Sequence, residues 1–522
     1  MSAIVVWLAG AAVIGLPGFA LARLFERRVR PATVIGCGLA FWPVLFLWTS
    51  TIGLAWNGWV VRGIVILCAL FVRRTRIEAM PIALFALVCI TRIVQIRGVA
   101  LPLWVDSVHH TMIVRLILEH GVVPSSYAPF IESGPFFYHW GFHVAAAAVA
   151  WLTGMTAPLD VAHILLHFGQ LLNALVFVVV YDGGRLLLRS RRAGLAAAVL
   201  ATLVSYFPAY YVSWGRYTHL AGLLILVPLA MALFRRKTPL IALLASGLVL
   251  VHVRIAVIAV TLAIAMLVTI VPWRSALRSW TVAAIGAAIV TCPWLLRYTT
   301  MDFAAPNVIP RDLLWAPHNL VLMLLAACAL LRPRKWIVML AVWCVLAIAA
   351  SFLPFMPMSA LIITMFLPLS LAGAAAIPRR WLMPATIVIA IAGAWSMRNL
   401  INPRTVLAHD ADVRALEWIA KNTPRDAKFA VSVQPWIGGS FIGVDGGYWI
   451  PVITDRRSIL PPGLYPWVMR PGDAARTNAM LARGVRDPSV THVYVGSAER
   501  DKWRRTLTPI YDVDGVTIYR TR

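Results

Sequence analysis

The stretches Trp104-Val-Asp-Ser-Val-His-His-Thr, Glu119-His-Gly and Ser133-Gly-Pro-Phe-Phe-Tyr-His-Trp-Gly-Phe-His143 gather acid, imidazole and aromatic groups into one segment of a chain that is otherwise strongly apolar. Carboxylate and imidazole are the side chains that exchange protons or hold divalent metals near neutral pH. Asp106 is the sharpest candidate. It follows the apolar Leu101-Pro-Leu-Trp-Val and opens a predicted amphipathic helix over 107–120, with His109 and His110 one turn on. One reading makes it an N-cap, a position Asp favours. Its clustering with His109, His110, Tyr138, His139 and His143 favours a functional reading, as a general base or a metal ligand. Asp106 and His110 stand four residues apart, as do His139 and His143, so each pair would share a helix face. A divalent cation (Mg, Mn or Zn) bridged between two helices is therefore one option, with Asp106, His110 and His219 as its candidate ligands. The chain has no His-Glu-x-x-His signature.

The elements that must carry these groups are membrane spans. With 61% hydrophobic residues and a mean hydropathy of +0.80 over 522 residues, the chain is not a soluble globular protein. Apolar runs of about 17–25 residues predict helices near 3–22, 33–54, 58–72, 79–96, 162–181, 195–212, 220–234, 239–254, 255–272, 279–296, 317–331, 336–353, 359–377 and 381–398. The fold class expected is a polytopic α-helical membrane protein of about 13–14 transmembrane helices with a C-terminal extracytoplasmic α/β domain.

Basic residues occupy alternate connections: Arg23/Arg27/Arg28/Arg30, Arg73/Arg74/Arg76, Arg185/Arg189/Arg191/Arg192, Arg235/Arg236/Lys237, Arg274/Arg278, Arg332/Arg334/Lys335 and Arg379/Arg380. The positive-inside rule turns these toward the cytoplasm. The net charge of +26 is then largely a topology signal, and no nucleic-acid partner is needed to explain it. The same parity puts the 97–161 loop, the 213–219 turn, the 297–316 loop and everything after Arg398 outside, the catalytic candidates and the tail together in one compartment of a multi-pass cell-membrane protein. Residues 1–22 read as a retained span, because no small-residue cleavage site follows them.

Cys37, Cys68, Cys89, Cys292, Cys328 and Cys344 all lie within predicted spans, without a C-x-x-C, so neither a disulfide framework nor a thiolate metal site is indicated. After Asn399 the hydropathy falls. A helix is predicted over 410–421, stopped by Asn422-Thr-Pro424, with strands over 428–433, 491–496 and 516–519. Residues 1–78 form additional N-terminal helices, 79–398 the membrane catalytic domain and 399–522 the outer domain.

The spans carry essentially no acid at depth, and the outer membrane loops hold Asp106, Glu119, Glu132, Asp160, Asp302 and Asp312. Ion-coupled transporters place ionisable groups near the bilayer midplane. Acids at the outer boundary instead suit a lipid-linked substrate whose head group lies there.

Leu103-Trp-Val-Asp106-Ser-Val-His-His110, followed by Glu119-His-Gly and Pro124, resembles the first outer loop of the GT-C membrane glycosyltransferases, and is similar to the Asp-x-x-x-His segment of the oligosaccharyltransferase catalytic subunit. The resemblance implies a sugar donor on a polyprenyl phosphate or pyrophosphate, with Asp106 as acceptor base or metal ligand. It also implies a surface helix over 139–155 and a second outer turn, Ser213-Trp-Gly-Arg216-Tyr-Thr-His219, where the family carries an acid in an Arg-x-Gly-x-x-Asp pattern and this chain has His219. In the tail, Val444-Asp445-Gly-Gly-Tyr448-Trp449-Ile450 and Asp455-Arg456-Arg457 are similar to the WWDYG stretch, without its paired tryptophans. The family uses that stretch to recognise a glycosylation sequon, so its divergence points away from a peptide sequon as acceptor. A Gly-rich turn packing the tail onto the membrane domain is the structural alternative.

The expected function is transfer of a sugar from a polyprenyl-phosphate-linked donor to an extracytoplasmic glycan, lipid or protein acceptor. The substrate-binding candidates are His109, His110, Tyr138, His139, Arg216, His219, Asp445, Tyr448, Trp449 and Arg457. Arg92, Arg216, Arg254, Arg297 and Arg311 are the cations available to hold a phosphate, Arg216 being favoured. Trp104, Phe136, Phe137, Tyr138, Trp140 and Trp214 could stack on sugar or isoprenoid, the interfacial aromatic belt being the default for Trp140 and Trp214. The alternatives are a transporter or flippase of lipid-linked glycans and a catalytically inactive glycan-binding paralogue.

Overall fold

The computed structural model describes residues 3–73, 78–132, 134–297, 317–353, 356–436, 439–463, 465–497, 503–504 and 506–521. The acids Asp302 and Asp312 and the cations Arg74, Arg76 and Arg311 lie outside the described residues. The helices are α1 (Ala3–Phe25), α2 (Pro31–Thr51), α3 (Gly58–Ala69), α4 (Ala79–Gln95), α5 (Trp104–His120), α6 (Gly141–Thr153), α7 (Pro158–Leu187), α8 (Arg191–Val199), α9 (Tyr211–Trp214), α10 (Tyr217–Arg235), α11 (Thr238–Val251), α12 (Val253–Thr269), α13 (Trp273–Leu295), α14 (Pro317–Leu330), α15 (Lys335–Ala350), α16 (Met358–Ile362), α17 (Phe366–Ala376) and α18 (Leu382–Met397).

The protein is a polytopic helical membrane protein with a small C-terminal α/β domain. Among the described residues six helical stretches, α1, α2, α7, α10, α13 and the Met358–Ala376 stretch, are long and apolar enough to cross a membrane, and eight shorter apolar helices accompany them. Every predicted span is helical in whole or in part. The 359–377 stretch breaks at residues 363–365, between α16 and α17, and the 195–212 stretch is not a continuous helix either. There α8 widens into a π-helical turn, Leu200–Val204, closed by Ser205 N–H donating to the Leu200 carbonyl at 2.9 Å. Pro208 follows and disfavours further helix in the residue before it. The opened turn leaves the Thr202 carbonyl to Arg92 Nη2 at 2.6 Å, while Arg92 Nε donates to Asn173 Oδ1 at 2.7 Å. Arg92, read from sequence as a phosphate clamp, is instead fully buried and ties α4 to α7 and α8. A guanidinium in apolar surroundings persists only with such acceptors.

The basic turns meet at one end of the bundle. Glu26 holds both Arg30 at 3.2 Å and Arg235 at 3.1 Å, Asp182 holds Arg185 at 3.1 Å and accepts Ala32 N–H at 2.9 Å, and Arg236 reaches Ser275 at 2.7 Å. At the opposite end His163 meets the Ala100 carbonyl at 3.1 Å and Trp56 N–H donates to Gly121 at 2.7 Å. The alternation in the sequence is thus an alternation in space.

Helix α6 corrects the expectation of a surface helix. Its residues 144–150 are all fully buried, packed among α1, α2, α3, α5 and α7. The alanines from Ala145 to Ala148 let neighbours approach on every side, which a helix lying on lipid would not need. Trp140 is likewise no belt residue: it is fully buried, with its ring 5.8 Å from Phe46 and 5.7 Å from Trp294.

The C-terminal domain opens with α19 (Asp410–Asn422), which buries Ala411, Ala415, Leu416 and Ile419 and is closed at its start by His409 N–H donating to Asp412 Oδ2 at 2.8 Å. The strands β1 (Lys428–Ala430), β4 (Arg457–Ser458), β5 (His492–Val495), β6 (Pro509–Val513) and β7 (Val516–Arg520) form a mixed sheet of order β4-β1-β5-β7-β6, while β2 (Val433–Pro435) pairs β3 (Phe441–Gly443). Parallel pairing runs from β4 through β1 to β5, and antiparallel pairing from β5 through β7 to β6. The turn between β6 and β7 is a tight hairpin with positive φ at Asp514 and Gly515.

Arg456 is the keystone of this domain. Nearly buried, it donates to the carbonyls of Thr454 (2.8 Å), Thr423 (2.8 Å) and Ala420 (2.9 Å). Arg456→Ala strands those carbonyls and removes charged hydrogen bonds, costing the domain about 3 kcal/mol; hydrogen exchange over β1 and β5 in the intact protein should accelerate accordingly, and unchanged protection there would refute the assignment.

The domain docks on α5. Arg115 donates to the Val452 carbonyl at 2.8 Å and pairs with Asp455 at 2.8 Å. Gly134 has φ +101°, and a Cβ added there would collide with the Val468 carbonyl. Gly134→Ala therefore combines backbone strain with a clash, and should expose the linker around residues 399–409 to protease while leaving the helical bundle intact.

Candidate active site

Helix α5 begins at Trp104 rather than at residue 107, so Asp106 is in its first turn and is not the cap. Trp104 itself has φ +65°, a left-handed conformation that is costly for a bulky residue. The helix is not amphipathic either. Val105, Ser107–Val114, Leu116 and Ile117 are buried, because the C-terminal domain covers the face that would otherwise meet water. The carboxylate of Asp106 points to a cation: Arg216 Nη1 lies 3.4 Å from Asp106 Oδ2, with the aspartate side chain 15% exposed and the arginine 41% exposed.

Gly215 makes this approach possible. It has φ +59° between α9 and α10, and a Cβ there would strike Ser107 Oγ, so only glycine lets this turn lie against the start of α5. Ser107 in turn bonds the Leu103 carbonyl at 2.5 Å, fixing the first turn. Arg216 also lies over the Trp214 ring, 5.9 Å from its centroid, while its buried Nε finds no acceptor among the described residues. Arg254, next to the break between α11 and α12, adds its charge to Asp106 and Tyr138.

Burial raises the Asp106 carboxyl above the ordinary 3.8, and the opposing pull of Arg216 and Arg254 does not cancel it. Burial, reinforced by the Asp106 charge, raises the Tyr138 phenol to about 12. His109 is driven down to about 4 by burial, and both its ring nitrogens lack partners among the described residues. His110 and His139 are also held well below the ordinary imidazole value, first by burial and then by neighbouring cations and imidazoles. The site thus offers one carboxylate, two guanidinium groups and neutral imidazoles.

The imidazoles are not paired as their spacing suggested. His139 precedes α6 and so does not share a helix with His143. His143 Nε2 instead meets His110 Nδ1 at 2.9 Å, while His139 stacks on Tyr138 (4.0 Å between centroids) and faces His252 (4.6 Å). His219 contacts His252 (5.1 Å between centroids) and meets Thr364 Oγ1 at 3.1 Å. Among the described residues no group of three or more His, Cys, Asp or Glu side chains is placed to hold a metal ion. Asp106, His110 and His219 accordingly do not meet as a ligand set, each being engaged by a different neighbour.

The tail candidates divide. Tyr448 is buried and close enough to Asp106 for the carboxylate to raise its phenol further after burial has done so. Gly463 lies against His109. Asp445, by contrast, accepts Gly447 N–H at 2.9 Å and Gly496 N–H at 3.1 Å, which makes it a buried turn residue. Trp449 is fully buried in the core of the tail, and Arg457 is exposed on strand β4 at the sheet edge. Arg297, another expected clamp, donates to the Pro124 carbonyl at 3.1 Å and braces the loop.

His252 and Thr364 were not legible as site residues. His252 sits between two apolar runs and accepts Ile255 N–H at 3.3 Å as the cap of α12. The polar pair His252 and Arg254 inside an apolar stretch was the available signal.

No family model matches the chain, and no curated protein matches it. Among solved structures, it is similar to the single-particle cryo-EM structure of arabinofuranosyltransferase AftD from Mycobacteria, at 16% identity and a TM-score of 0.49. The alignment covers 81% of this chain and 37% of that one, so the chain spans little more than a third of the matched protein. The reaction is therefore argued from this chain's own residues.

Proposed function

We propose that the protein is a GT-C-like membrane glycosyltransferase, moving a sugar from a polyprenyl-phosphate-linked donor to a glycan, lipid or protein acceptor on the extracytoplasmic face. The observation that carries this reading is the Asp106 carboxylate lying 3.4 Å from the Arg216 guanidinium, at the end of the bundle away from the basic turns and under the C-terminal domain. A proton acceptor beside a phosphate-binding fork is what such a transfer needs. It also agrees with the loop resemblance in the sequence.

In this reaction the acceptor hydroxyl oxygen attacks the anomeric carbon as the bond from that carbon to the phosphate oxygen breaks. The hydroxyl proton passes to Asp106, and the electron pair of the broken bond leaves on the phosphate. Arg216, with Arg254 near, neutralises the charge gathering there. Neutral His109, His110 and His139 and the phenol of Tyr138 present donors and acceptors to sugar hydroxyls without placing further positive charge near the oxocarbenium-like centre.

The test is reconstitution in sealed proteoliposomes with a panel of polyprenyl-phosphate sugars and candidate acceptors. A transferase generates free polyprenyl phosphate in proportion to acceptor. A flippase would move intact lipid-linked sugar between leaflets with no phosphate release, and that outcome would replace this reading.

A further inference from the structure

At the basic end of the bundle, opposite the Asp106 site, lies a cavity of 1320 Å³ walled by α7, α8, α10, α12, α15, α17 and α18. Helix α10 runs from one site to the other: Arg216 precedes its first residue, and the cavity-lining Leu226 and Phe234 lie roughly 15 and 27 Å further along at 1.5 Å per residue. The volume exceeds the roughly 300–1,000 Å³ of small-molecule pockets. Its walls are mostly leucine, valine, alanine and methionine side chains, with Phe234, Trp336 and Trp343 among them. Its rim carries Arg189, Arg192, Arg332, Arg334, Lys335 and Arg379, and among the described residues no acid lines it.

Basic turns are ordinary at one membrane face, so charge alone says little. The pairing pattern says more. Nearby, Arg30 and Arg235 share Glu26, Arg185 pairs with Asp182, and Arg191 pairs with Glu78. None of the six rim cations forms an ion pair among the described residues, although all six are exposed and stand around one opening. Deeper in the wall, the buried Trp343 has an indole N–H without an acceptor among the described residues. An unpaired cationic rim over an apolar shaft with a spare donor is complementary to an anionic head group above hydrocarbon chains.

We infer that this cavity binds one anionic phospholipid of the adjoining leaflet, its phosphate held by the rim around Arg332, Arg334 and Lys335 and its acyl chains filling the shaft between α10 and α15. This lipid is distinct from any donor at Asp106, and the assignment does not depend on the transferase reading. Bound there, it stitches α7, which packs against α5, and α10, which begins beside Arg216, to the later helices α15, α17 and α18.

The experiment is native mass spectrometry of the full-length protein released from nanodiscs of phosphatidylcholine containing a minor fraction of phosphatidylglycerol. The wild type should retain one phosphatidylglycerol in strong preference to phosphatidylcholine. The triple variant Arg332→Gln, Arg334→Gln, Lys335→Gln should bind it roughly 100-fold more weakly, each cation near an anionic head group being worth about fivefold. Ala230→Phe, which fills the shaft and leaves every charge in place, should lose the lipid while the protein stays monodisperse, and it decides the matter if the triple variant misfolds. An excess of inorganic phosphate should leave the lipid bound. Equal retention of the two lipids, undiminished binding in a folded variant, or displacement by free phosphate would each overturn the assignment.

Discussion

Asp106→Asn reduces release of polyprenyl phosphate by about 10³-fold, within the range attributed to a positioned general base. The amide is nearly isosteric but cannot take the acceptor's proton. Its effect on folding runs the other way. Burial raises the Asp106 carboxyl above 3.8, so this group contributes stability below the unfolded value that is lost as pH rises through the folded one. At neutral pH the ionised form is held at a cost, which the asparagine does not incur. The melting temperature of the variant should therefore hold or rise, and inactivity accompanied by a fall in melting temperature would point to a structural role. The wild-type rate should also fall on the acid side with a midpoint above 3.8, because only the ionised carboxylate accepts the proton. An acid limb at or below 3.8 would remove Asp106 from the chemistry.

Arg216→Gln is expected to lower kcat/KM for the donor about 100-fold, by replacing a bidentate charge-assisted contact to phosphate with a neutral one. Lysine restores the charge without the planar fork, so Arg216→Lys should recover part of that loss, about tenfold. Because Arg216 and Asp106 touch, the double variant should lose less than the two single losses combined. Independent, fully additive losses would show that the two residues serve separate sites, contrary to the 3.4 Å contact.

The bundle was readable from sequence because a span needs only a long apolar run and a basic turn, both local properties. Helix α19 was placed within a residue, since Pro424 ends it and its apolar spacing is regular. Helices α5 and α6 were misjudged for one shared reason. Whether a half-polar helix lies on a surface depends on what covers it, and the tail segments that cover α5, Gly446–Trp449 and Ile450–Thr454, come far later in the chain. Asp106 and Arg216 were each visible as chemistry-bearing residues, yet their meeting depends on Gly215 passing Ser107, a contact no local pattern encodes. Spacing likewise misled on His139 and His143, because the helix begins between them, at Gly141 after the Trp140 cap. Asp445 and Trp449 carried a motif-like pattern, whereas the structure uses them to close a turn and fill a core.

The most direct measurement is a cryo-EM map of Asp106→Asn in nanodiscs with an intact polyprenyl-phosphate sugar, which this variant should hold without turning over. The phosphate is predicted to lie within hydrogen-bonding reach of Arg216, with the sugar between residue 106 and Tyr138 beneath the C-terminal domain. A donor phosphate found instead at the basic rim around Arg334, with nothing beside Arg216, would contradict the assignment of the active site.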